Sequence, residues 1–221
     1  MKKTLMMVVA AMMAIMSANA QFKAQTWTLQ PMMGIGISAV TNMDTHPLTG
    51  KKVNHTLTGA ALIGVEAEYM LTRQFSVAGG LNYTRQGCGW DNVKAGSVEY
   101  KDLRMELGYV RIPVVANYYL GSGFAVKAGV QFGFLTDAHL KMSTESTLVG
   151  YDVTTEVSAN FKKDCETFDF AIPLGISYEF SSHWVLDARY QLSLSRVNKE
   201  SGDQNNRNSL FMLTCGYKFK L

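Results

Sequence analysis

Cysteine is scarce in this 221-residue chain, which carries Cys88, Cys165 and Cys215 and no others. An odd count at irregular spacing excludes a disulfide framework as the source of stability. Cys88 and Cys165 fall near the loop-side ends of two apolar segments that are not neighbours in a simple meander, so no bridge between them is expected. Cys215 reads as a small apolar residue on an outward face. Long hydrophobic runs are also absent beyond the first twenty residues. No transmembrane helix is therefore expected in the body of the chain, since a span needs roughly 20 apolar residues, and any membrane association would have to come from strands. Charge of one sign is missing too. Without Lys2 and Lys3 the 21 basic residues fall to 19 against 18 acidic ones, a net charge of about +1 that leaves no nucleic-acid footprint.

What is present begins with an address. Lys2 and Lys3 form a basic start, Leu5 to Met16 an apolar stretch, and Ala18-Asn19-Ala20 a small-residue cleavage site. These predict an export signal peptide over 1–20 and one domain over 21–221. The apolar stretch is too short for a retained helical anchor. Residue 21 is Gln rather than Cys, so no acylated lipoprotein is expected.

The rest of the chain alternates apolar and polar residues over eight segments: 26–38, 58–70, 74–87, 101–120, 123–139, 166–180, 183–196 and 208–220. Period-two alternation is the strand signal. The connectors run long, short, long, short, long, short, long, with the short ones at 71–73, 121–122 and 181–182. Tight turns on one side and long loops on the other are what an up-and-down barrel in a bacterial outer membrane requires.

Alternation alone would also suit a soluble barrel, but the two faces differ in content. One face of 183–196 holds Trp184, Leu186, Ala188, Tyr190, Leu192 and Leu194; 166–180 presents Phe168, Phe170, Ile172, Leu174, Ile176 and Tyr178 in the same way. No charge interrupts these faces, as expected where each Lys or Arg at the bilayer midplane costs about 2–4 kcal/mol. The opposite faces are rich in Gly, Ala and Ser, with charges of both signs: Glu66, Glu68, Arg111, Lys127, Asp169, Glu179, Asp187, Arg189 and Lys218. A lumen-filling network of paired charges is expected from this set, because eight strands leave room for side chains and not for an aqueous channel. Segment 101–120 is less regular, its parity slipping near Leu107 to Tyr109; a bulge or an extension beyond the bilayer would account for that. Trp27, Tyr69, Phe75, Tyr118, Phe124, Tyr178, Phe180, Trp184, Tyr217 and Phe219 flank the short turns and the termini, which predicts one aromatic girdle.

The string VRIPVVANYYLGSGFAVKAGVQFGFL at 110–135 resembles the signature of the outer-membrane β-barrel family that includes PorT. FDFAIPLGISYEFSSHWVLDARYQLSLSRV at 168–197, with its Arg189-Tyr190 pair, is similar to that family's next hairpin, and GYKFKL at 216–221 to its last strand. The resemblance implies an all-β fold, an eight-stranded antiparallel up-and-down transmembrane β-barrel in a Gram-negative outer membrane. It also implies a link to protein secretion, within a family of mixed functions.

Chemistry-bearing residues are few. His46, His55 and His139 lie on or near the long loops and His183 in a tight turn, without metal-ligand spacing, so no metal or cofactor is expected. Asp137, His139, Ser143 and Glu145 cluster near one strand end, but a Ser/His/acid set is defined by geometry and not by nearness in sequence. Gly34-Ile35-Gly36 has neither a third glycine nor a helix after it, which excludes a phosphate loop. Pro31, Pro113 and Pro173 predict bulges or rim positions. Loop 140–165 alternates enough to suggest a hairpin rising above the membrane; it and loop 39–57 are the expected partner-facing surfaces, with outer-membrane lipid the other partner. A non-catalytic structural or interaction barrel, an accessory of secretion or envelope assembly, is the expectation. An outer-membrane enzyme acting on lipid or peptide at the external rim is the alternative, and a narrow solute channel comes third.

Overall fold

The computed structural model describes residues 23–43, 52, 54–95, 98–121, 123–148, 151–180, 183–199 and 206–221. The expected signal peptide, His46 and part of loop 39–57 lie outside the described residues. Eight long strands form the barrel: β1 Trp27–Val40, β2 Thr58–Met70, β3 Phe75–Trp90, β4 Val98–Gly121, β5 Phe124–Leu148, β6 Phe168–Glu179, β7 Trp184–Ser193 and β8 Asn208–Tyr217. Each pairs antiparallel with its neighbours in sequence. β8 also pairs with β1, from Met32↔Gly216 to Val40↔Asn208, and this closes the ring. Closure leaves no ring strand with a free edge in the bilayer, where an unpaired backbone group has no water to turn to.

Alternation along each strand fixes which side chain faces which medium. In β7, Val185, Asp187, Arg189, Gln191 and Ser193 are buried in the lumen while Trp184, Leu186, Tyr190 and Leu192 are exposed on the outer wall. Short turns join β2 to β3, β4 to β5 and β6 to β7. The second of these needs Gly121 (φ +104°) and Gly123 (φ +83°), which hold positive φ without a Cβ penalty. At that end the aromatic side chains meet: Trp27–Tyr69 at 4.7 Å, Tyr178–Phe180 at 4.8 Å, Trp184–Tyr217 at 5.4 Å and Tyr217–Phe219 at 4.8 Å between ring centroids.

Three strands run longer than their alternation indicates. β3 reaches Trp90, β4 begins at Val98 and β5 continues to Leu148, where a further strand, Tyr151–Asn160, folds back on it from His139↔Asn160 to Leu148↔Tyr151. A sheet thus stands above the barrel mouth, joined on its far side by the short strand Val93–Ala95.

The prolines are neither at the rim nor in bulges. Pro113 is in register with Gln131 on β5, yet the β3–β4 ladder lapses between Gly79↔Val114 and Asn82↔Arg111. Pro173 keeps Gln191 on β7, while the β5–β6 ladder lapses between Ala128↔Leu174 and Gln131↔Ala171. Pro31 keeps Val65 on β2 and falls in the gap of its other ladder, between Leu29↔Phe219 and Met32↔Gly216. A missing N–H affects one side of a strand, so each proline opens one seam and leaves the other intact.

Candidate functional site

All nine charged residues singled out above lie in the lumen, between 1 % and 7 % exposed. The structure sorts them into three layers. Nearest the short turns, the Lys218 ammonium sits 2.7 Å from Glu68 Oε2 and 2.9 Å from Glu179 Oε2. It also donates to the Tyr119 hydroxyl at 2.7 Å, which in turn donates to Glu68 Oε1 at 2.6 Å. Asn117 Nδ2 and the Ser76 hydroxyl complete the shell around Glu68. At the rim, His183 Nδ1 stands 3.5 Å from the other oxygen of Glu179.

In the middle layer Arg189 spans the lumen from β7 to β2. One guanidinium nitrogen donates to Glu66 Oε1 at 2.7 Å, and another bonds Asp187 Oδ2 at 3.0 Å. Lys127 holds the same Asp187 oxygen at 2.6 Å. Above them Gln131 Nε2 donates to Gln191 Oε1 at 2.7 Å, from β5 to β7. The upper layer is built on Arg111, which bonds Thr84 at 3.0 Å and Gln86 at 2.9 Å and faces Asp169 Oδ2 at 3.1 Å. Ser193 donates to the other oxygen of Asp169. Buried charges persist when they are paired, and each of the nine has a partner of opposite sign here.

Above Arg111 the lumen changes character. Val40, Cys88, Trp90, Leu103, Met105, Leu107, Tyr109, Leu135, Ala138, Cys165 and Val197 form one buried apolar cluster that caps the barrel at the long-loop end. Cys88 and Cys165 both belong to it and are free thiols. Burial, reinforced by the neighbouring Asp164, pushes the Cys165 thiol up to about 11. The parity slip at Leu107 to Tyr109 is not a bulge in β4: both residues continue the inward row of Leu103, Met105, Arg111 and Asn117 without interruption. The extra residue is on β5 instead. Gly108 pairs with Asp137 and Tyr109 with Leu135, leaving Thr136 as a bulge whose hydroxyl donates to the Gly108 carbonyl at 3.0 Å.

That bulge turns Asp137, His139 and Lys141 to the outward face of β5, beginning in the ladder row of Gly108 and Arg85. Asp137 accepts from the Tyr83 hydroxyl at 3.1 Å across Gly108, where a Cβ would collide with both groups. Lys141 pairs with Glu106 at 2.8 Å, and Arg104 with the same carboxylate at 3.3 Å. A polar cleft of about 530 Å³ opens between Arg104, Lys141, Ser143 and Ser158. Among the described residues no hydrogen bond joins Ser143 to His139, and Asp137 accepts from Tyr83 and Thr136; the side chain of Glu145 lies outside the described residues. No three His, Cys, Asp or Glu side chains gather to hold a metal among the described residues.

A closed antiparallel ring with apolar outer walls, an aromatic girdle at the turn end and a charged, filled interior defines a transmembrane barrel of the outer membrane. The chain belongs to the family described as the outer membrane protein beta-barrel domain, whose model matches residues 19–198. No curated protein matches it. Among solved structures it is similar to OprG from Pseudomonas aeruginosa (15 % identity, TM-score 0.45, covering 90 % of this chain and 98 % of that one). It is also similar to Ail, the attachment invasion locus protein of Yersinia pestis (13 %, 0.43, 90 % and 100 %), and to AlkL (13 %, 0.45, 93 % and 95 %).

Proposed function

We propose that this protein is a non-catalytic interaction barrel, an accessory of protein secretion or envelope assembly that engages an envelope protein through the sheet above its mouth. The observation that carries the reading is the pairing of β5 with Tyr151–Asn160, which extends residues 140–148 and 151–160 as paired strand beyond the mouth of a plugged scaffold. Recognition usually resides on such projections from a rigid frame. The link to secretion rests on the resemblance to the PorT-like family at 110–135 and 168–197. Export through the signal peptide at 1–20 belongs to the same proposal.

Mild-detergent extraction of the tagged protein from native outer membranes, followed by mass spectrometry, tests it. A stoichiometric envelope protein should co-purify and be lost when residues 143–156 are removed. It should survive His139→Ala and Ser143→Ala. Recovery of a lone monomer from native membranes would overturn the interaction role.

A further inference from the structure

The lipid-facing wall is uncharged from the aromatic girdle up to the level at which Arg85 emerges from β3. The stretch from Phe75 to Arg85 rises roughly 25 Å at ordinary strand rise and tilt, the height of an outer-membrane apolar band. Arg85 therefore stands at the outer headgroup level. Beside it, Ala61, Ile63 and Tyr83 line a groove of about 390 Å³ that opens toward lipid. Ala61 is the register partner of Arg85 on β2, and its small side chain leaves the groove open beneath the guanidinium. On the other flank Arg85 pairs with Gly108, and Tyr83 is pinned to Asp137 across that glycine. Among the described residues Arg85 itself makes no ion pair, whereas Arg104, Arg111 and Arg189 each do.

We propose that this groove binds a phosphate-bearing lipid of the outer leaflet. One acyl chain lies along Ala61 and Ile63, and the headgroup phosphate takes the Arg85 guanidinium, whose planar donors match phosphate oxygens. Charge complementarity selects the anionic headgroup. The apolar floor selects a lipid over a free anion, which would gain Arg85 and nothing else. This site is independent of the partner-binding sheet, and its failure would leave that reading untouched.

Native mass spectrometry of the full chain, folded in detergent micelles, provides the test. The probes are dimyristoyl phosphatidate, dimyristoylglycerol and inorganic phosphate. Wild type should retain phosphatidate, and Arg85→Gln should lower retention by about tenfold or more, the effect of losing one charge-assisted pair. Ala61→Trp, which fills the groove and keeps the charge, should lower it comparably, whereas Arg73→Gln in the opposite turn should leave it unchanged. Both key positions face outward, and folding of each variant is read from its mobility on unheated gels; Ile63→Trp replaces Ala61→Trp if the latter does not fold. Equal retention by Arg85→Gln, equal retention of dimyristoylglycerol, or displacement of the lipid by equimolar inorganic phosphate would overturn the proposal.

Discussion

The lower and upper halves of this barrel are built on the same strands with opposite chemistry. Along β4 the inward row is Leu103, Met105, Leu107 and Tyr109 above, and Arg111, Pro113, Val115, Asn117 and Tyr119 below, where polar groups appear among the apolar ones. The outward row inverts at the same height, from the Arg104–Glu106 pair to the exposed Ile112, Val114 and Tyr118. Lipid around the lower half demands an apolar outer wall and consigns the charges to the lumen. Water around the upper half reverses the demand, and the interior becomes an ordinary apolar core. Tyr109 marks the junction: its ring lies 4.8 Å from the Arg111 guanidinium, and its hydroxyl accepts from Asn208 at 3.2 Å.

If the halves are held by different forces, they should break differently. The largest effect is expected from Lys218→Met, which strands Glu68 and Glu179 in the lumen; removing one partner of a buried pair costs about 3–5 kcal/mol. Urea unfolding in lipid vesicles measures it, and a loss under 1 kcal/mol would mean that the lower lumen is wet. Leu107→Ala in the cap should cost about 3 kcal/mol through the cavity it leaves, without any change in charge. Reactivity gives a third contrast. With its thiol held near 11 in place of the ordinary 9, Cys165 has about a hundredfold less thiolate at pH 8. Alkylation of the folded chain should be slower by at least that factor, should accelerate as pH rises toward 11, and should quicken in Leu107→Ala. Smallest of all, Glu106→Gln frees Arg104 and Lys141 on the wet outer face and should cost no more than about 1 kcal/mol.

The inversion also explains what could be read from the residues and what could not. Strand number, ring order, the girdle and the nine inward charges follow from alternation plus the content of the two faces, because one solvent acts over the whole membrane-embedded length. Pairing among those charges does not follow, since Arg189 meets Glu66 across the lumen from a strand distant in sequence. The irregularity at Leu107 to Tyr109 was visible as a break in pattern. It marks a change of solvent along an unbroken strand, with the actual bulge displaced to Thr136 on the neighbour. The two cysteines look remote in sequence, Cys88 on β3 and Cys165 in the connector before β6, but a capped lumen gathers side chains from around the ring, so both share one cluster. Of the Arg85 groove only the outward Arg is legible in sequence; the space beside it depends on Ala61 across the β2–β3 register.

The seam between β8 and β1 has a consequence for how the molecule comes into being. The amide of Leu221 donates to the carbonyl of Trp27 at 3.0 Å, and Phe219 pairs with Leu29, so the ring closes only when β8 and the residues after it reach β1. Until then β1 offers an open row of donors and acceptors to any strand that passes. Such non-local pairing makes folding slow, and the first strand must wait, shielded by something other than its final partner, for nearly the entire chain to be delivered.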